Sequence, residues 1–180
     1  MLFLPSGPSL LKGAVIVNKH VAALIAAVAF AVPAIAAAQQ ADAGKMMQMF
    51  SQSVRTDGGN LQIVLLNDRT VDAIFGTSPA KAAFKTKARM TTVFFVQGTV
   101  NKEFEFKPEM TVVQKGETLQ GKATSMKNFA AGKIAKGELI QGLVELPKAV
   151  DLYEPFKVTI SGETAEFRLN RDDVRDYGNR

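Results

Sequence analysis

The chain has no cysteine, no tryptophan and a single histidine among its 180 residues. Without cysteine there are no disulfides, no thiolate metal sites and no thiol nucleophile. Without tryptophan a common sugar-stacking side chain is missing, which weighs against glycoside hydrolysis by a carboxylate pair. What is present is ordinary for a globular domain: 47% of residues are hydrophobic and 22% charged, enough apolar content to bury a core and too much for a disordered chain. The length allows one domain.

The N-terminal segment reads as an export signal. Lys19 and His20 precede an apolar run from Val21 to Val32, followed by Pro33 and the small residues Ala34 to Ala38. Charged, apolar and small-residue regions in that order are those of a secretory signal peptide, with cleavage expected after Ala38. An uncleaved anchor is the competing reading, but the run is alanine-rich and interrupted by Pro33. Pro5 and Pro8 in the long stretch before Lys19 point to a translation start nearer Val15 or Val17. Three segments follow: residues 1–38 as signal peptide, 39–58 as a leading amphipathic helix and linker, and 59–180 as one β-rich domain. Loss of Lys12 and Lys19 with the leader lowers the net charge from +5 to about +3, and His20 leaves as well. A mature chain with neither His nor Cys lacks the usual general base, the commonest zinc ligand and every histidine-dependent triad. In an exported protein without disulfides, packing alone must stabilise the fold.

Met46, Met47, Phe50 and Val54 recur at helical spacing, so a helix is expected over Ala41 to Val54, ending at Gly58-Gly59. Leu61 to Leu66 and Val71 to Phe75 read as strands joined by a turn at Asn67-Asp68. Ser78-Pro79 suits the start of a helix running to Ala88. Strands are expected at Thr91 to Val100, around Phe104 and Phe106, and at Met110 to Gln114, Thr118 to Met126, Glu138 to Leu146, Phe156 to Ile160 and Thr164 to Leu169. The unbroken run Val93 to Val96 suits a strand buried on both faces. Asn170 caps a last short helix that Gly178 closes. The expected fold is therefore mainly β: an antiparallel sandwich, immunoglobulin-like or similar, with short N- and C-terminal helices. A closed β-barrel is the alternative.

An internal echo relates Lys115-Gly116-Glu117-Thr118-Leu119-Gln120-Gly121 to Lys136-Gly137-Glu138-Leu139-Ile140-Gln141-Gly142, and Ser161-Gly162-Glu163 opens similarly. Turn glycines with positive φ leading into strands account for all three better than a repeated ligand surface does.

Each candidate site has a plain competitor. Gly116 to Ala123 nearly matches a phosphate-binding loop, but Ala123 stands where a hydroxyl must hold magnesium, so nucleotide binding is not expected. Ser78 and Lys81 fit the S-x-x-K pattern of a serine hydrolase without its partner motifs. Met46, Met47 and Met49 suggest copper(I) ligands less well than a packed helix face. Asp172, Asp173 and Asp176 sit where a helix start favours negative charge. No acidic residue lies between Asp72 and Glu103, and Lys81, Lys85 and Arg89 form a basic stripe there at i, i+4, i+8. That stripe is the candidate contact for an anionic lipid surface or envelope polymer. The small charge and sparse aromatics do not suit nucleic acid.

These readings describe an exported, non-enzymatic binding or structural module of the cell envelope, with no cofactor, no metal and no catalytic residue expected. A protein partner adding to Glu138 to Leu146 or Thr164 to Leu169 as a sheet edge is a further possibility. The alternative is a periplasmic carrier enclosing an apolar ligand between Phe94, Phe95, Phe104 and Phe106. A carboxylate- or serine-dependent hydrolase comes last.

Overall fold

A computed structural model describes residues 44–178, which belong to one unit, Gln40–Arg180. The leader reading lies outside the described residues. Among the described residues no helix is long and apolar enough to cross a membrane.

The described residues open with helix α1 (residues 44–49) and turn directly into β1 (Ser51–Thr56) and β2 (Gly59–Leu65). The expected helix to Val54 is therefore cut short. Val54 is a strand residue in the core, and Gly58-Gly59 belongs to a hairpin instead of ending a helix. The apolar spacing misled because Met46 is buried on the helix, Phe50 lies in the turn, and Val54 faces the same core as Phe50 from a strand.

A second correction concerns Val71 to Phe75, which is helix and not strand: α2 spans Asp68–Phe75. Asn67 is its N-cap, its side-chain oxygen accepting from the backbone N–H groups of Arg69 and Thr70, both at 2.9 Å. Thr70 Oγ1 accepts from the Asn67 N–H at 2.8 Å and donates to the Leu65 carbonyl at 3.0 Å. This reciprocal box starts a helix where a hairpin turn was expected. Helix α3 (Lys81–Met90) begins later than Ser78-Pro79, which form the turn before it.

The remaining strands are β3 (Val93–Thr99), β4 (Phe104–Phe106), β5 (Met110–Gln114), β6 (Glu117–Gln120), β7 (Lys122–Lys127), β8 (Gly132–Ile134), β9 (Leu139–Glu145), β10 (Phe156–Ile160) and β11 (Glu163–Phe167), before helix α4 (Arg171–Tyr177). The expected strand Thr118 to Met126 is two strands, because Gly121 carries the chain from one sheet to the other. β8 was not expected at all. Asn170 caps α4 and the Gly178 N–H closes it on the Val174 carbonyl, as the sequence indicates.

All pairings are antiparallel, in sheets of order β1-β2-β3-β9-β7, β11-β10-β5-β6 and β4-β8. The sheets do not close into a barrel, which rules out that alternative: the five- and four-stranded sheets remain separate and share a core. Ile63, Phe94, Val96 and Val144 of the first meet Met110, Val112, Phe156 and Phe167 of the second. Because β1, β2 and β3 all stay in one sheet, the order differs from the ABED/CFG arrangement of immunoglobulin constant domains.

The other face of the five-stranded sheet is covered in part. Val64, Val93, Phe95 and Leu143 pack there with Val71, Ile74, Phe75 and Phe84 of α2 and α3. This is why Val93 to Val96 is uniformly apolar: alternate residues serve two cores.

The glycines of the echo behave as expected. Gly116, Gly137 and Gly162 have φ of +80°, +87° and +84° in the turns before β6, β9 and β11. Lys115 and Ser161 are also left-handed, which makes two-residue primed hairpins.

Candidate functional site

The expected basic stripe exists, but its charges are already used. Lys81 and Lys85 pair with opposite oxygens of Asp72 at 3.2 and 2.8 Å, and Arg89 grips both oxygens of Asp68. Asp68 and Asp72 are one helical turn apart on α2, so two carboxylates on one helix meet three cations on the next. The Lys85 hydrogen bond, aided by Lys81 against the effect of burial, holds the Asp72 carboxyl below its ordinary value. The hydrogen bond with Asp68 raises Arg89 above the usual guanidinium range. Lys87, on the same helix, pairs with Glu145 of β9. The stripe thus fastens α3 to its neighbours.

The four phenylalanines proposed as a carrier lining do not converge. Phe95 faces the helices beside Phe75, whereas Phe94 lies in the shared core against the stacked Phe156 and Phe167 rings. Phe104 and Phe106 pack tilted against each other, and Phe106 meets the Phe129 ring edge-on. Side chains fill the space between the sheets, and a small cleft lined by Asn67 and by Ala88 and Arg89 of α3 measures only about 20 Å3. A small-molecule site needs roughly 300 Å3 or more.

The other sequence candidates are also dispersed. Ser78 Oγ accepts a hydrogen bond from the Ala80 N–H, and Lys81 is held by Asp72. Gly116 to Ala123 runs along β6 and β7 without the helix that a phosphate loop needs. Met47 and Met49 pack against different cores. Arg175 pairs with both Asp172 and Asp176. Among the described residues no three His, Cys, Asp or Glu side chains gather as metal ligands.

A different surface carries unspent charge. No acidic residue lies between Thr118 and Gly137, while Lys122, Lys127, Lys133 and Lys136 all do. All four are exposed, and none joins the ion pairs found among the described residues. They lie on β7, the outer strand of its sheet and exposed throughout, and on the limb that continues through β8. β9, expected as an edge, is instead enclosed between β3 and β7, whereas β11 is an outer strand flanked by β1. A register shift at Met126 and lysines at both ends of β7 blunt it against strand addition.

Local chemistry holds the limb in shape. Asn128, left-handed at φ 50°, donates through Nδ2 to Glu138 Oε2 at 2.9 Å and to the Leu139 carbonyl at 3.1 Å. The Phe129 N–H donates to Ser125 Oγ, and its ring inserts against Gly142 and Phe106. A surface groove of about 250 Å3 opens on this limb, floored by Ala130, Ala131 and Ile134 and flanked by Lys133, Asn128 and Glu138. Applied to residues 118–137, the acid-free reading that singled out α3 would have found this surface.

Comparison with protein-family models, with curated proteins and with solved structures finds no match for this chain.

Proposed function

We propose that this chain is an exported, non-enzymatic binding module of the cell envelope, that its partner is an anionic envelope polymer, and that the β7–β8 limb is the contact surface. On this reading the two large sheets form an antiparallel β-sandwich that serves as a rigid scaffold. The observation that carries it is the division of positive charge. The α3 cations are bound to carboxylates, whereas Lys122, Lys127, Lys133 and Lys136 stand exposed, with Lys133 lining a groove. Unpaired exposed cations attract polyanions in a salt-dependent way without a catalytic group. A mature chain free of His and Cys agrees with binding over chemistry.

The test is the salt concentration that elutes the protein from immobilised dextran sulfate. Replacing Lys127, Lys133 and Lys136 by Gln should lower it well below that of an equal-charge control with Lys45, Lys107 and Lys157 replaced. Equal losses would reduce the effect to net charge and overturn the reading.

A further inference from the structure

The outer face of the five-stranded sheet is only half covered by α2 and α3. Beyond Val64, Phe95 and Leu143, which lie under the helices, a row of polar side chains crosses every strand in register. Ser53 pairs with Gln62, Gln62 with Gln97, Gln97 with Gln141, and Gln141 with Lys127. Directly paired residues share a face, and strands lie about 4.8 Å apart, so the row is a track of about 19 Å.

The amides in the row are oriented. Gln97 Nε2 donates to Gln62 Oε1 at 2.9 Å, and Gln62 Nε2 donates to Ser51 Oγ at 3.3 Å. This leaves Gln97 Oε1 as an acceptor, and the Gln141 amide makes no side-chain hydrogen bond among the described residues. All three glutamines are half-buried, so their rotamers are restricted before anything binds. Arg55 near one end and Lys127 at the other supply positive charge, and none of the paired residues in the row is acidic.

We propose that this row is a binding track for a linear acidic polysaccharide, whose hydroxyls exchange hydrogen bonds with Gln97 and Gln141 and whose carboxylates lie at Lys127 and Arg55. Each amide offers donors and an acceptor, as each sugar hydroxyl does. A polyanion without hydroxyls uses the cations and leaves the amides idle. With no tryptophan to stack on a sugar ring, hydrogen bonds and charge carry recognition. The inference rests on the proposed binding of an anionic polymer, and Lys127 belongs to both surfaces.

The experiment titrates the protein, expressed with its own leader, with oligogalacturonate and with poly-glutamate of matched charge. The Gln97→Ala/Gln141→Ala variant should bind oligogalacturonate about tenfold more weakly and poly-glutamate unchanged, as expected for two lost neutral hydrogen bonds. Gln141→Glu, a near-isosteric change on a half-buried position, should weaken both, and circular dichroism checks that each variant is folded. Equal affinity of wild type and the double variant for oligogalacturonate overturns the track. If the double variant has no effect while Lys133→Gln/Lys136→Gln weakens both polymers, the track fails and the broader reading survives. If wild type binds neither polymer, both fail.

Discussion

Phe129 and Gly142 occupy one space: a β-carbon added at Gly142 would fall on the Phe129 ring. Gly142 lies in β9, enclosed between β3 and β7, and the ring it admits anchors the cationic limb to the core. Gly142→Ala should therefore cost about 1–3 kcal/mol through overpacking. Phe129→Ala should cost about 3–5 kcal/mol. In the Phe129→Ala background the ring clash is gone and only the β-carbon of residue 129, 2.7 Å from the added carbon, must give way, so Gly142→Ala should cost less than it does with the ring in place. Denaturant unfolding of the four proteins reads the coupling, and simple additivity would refute the shared space.

Gly116 depends on backbone conformation instead. Its φ is +80° and nothing lies within 4 Å of an added β-carbon, so Gly116→Ala meets strain without a clash. A loss of about 1–2 kcal/mol is expected, visible as a lower denaturation midpoint with an unchanged slope. No second-site truncation should rescue it.

Asn67→Ala removes the acceptor that caps α2 and should cost about 0.5–2 kcal/mol. Because Asp68 and Asp72 hold α3, amide exchange should accelerate in both helices. Acceleration confined to α2 would show that the ion pairs do not couple them.

Asp72 sets a pH dependence. Its carboxyl is held below the ordinary value of 3.8 by Lys85 and Lys81, so the folded state binds its proton less readily than the unfolded state. The stabilisation is therefore complete above that value and is lost as pH falls through the lower folded value. Asp72→Asn should cost at most about 1 kcal/mol at neutral pH, because the pairs are solvent-screened, and should flatten the acid side of the stability profile. A cost that persists unchanged in high salt and at acid pH would assign the effect to packing.

The sequence is most informative where one signal dominates. Met110 to Gln114 and Phe156 to Ile160 are strands with the expected ends, and Asn170 and Gly178 bound the last helix as expected. It misleads at Asn67, which suits a turn or a cap equally until Thr70 closes the box. That one choice also hid the pairing of the basic stripe. With Val71 to Phe75 taken as a strand, Asp68 and Asp72 have no common helical face to set against Lys81, Lys85 and Arg89. The amide row was invisible for another reason: Gln62, Gln97 and Gln141 become neighbours only through strand order and register.

Peptide-resolved hydrogen exchange with and without oligogalacturonate tests whether a polyanion engages the β7–β8 limb, as proposed. Protection should appear across residues 122–138 and not across α3. Protection confined to residues 81–90, or none at saturating polymer, would overturn the proposed contact surface.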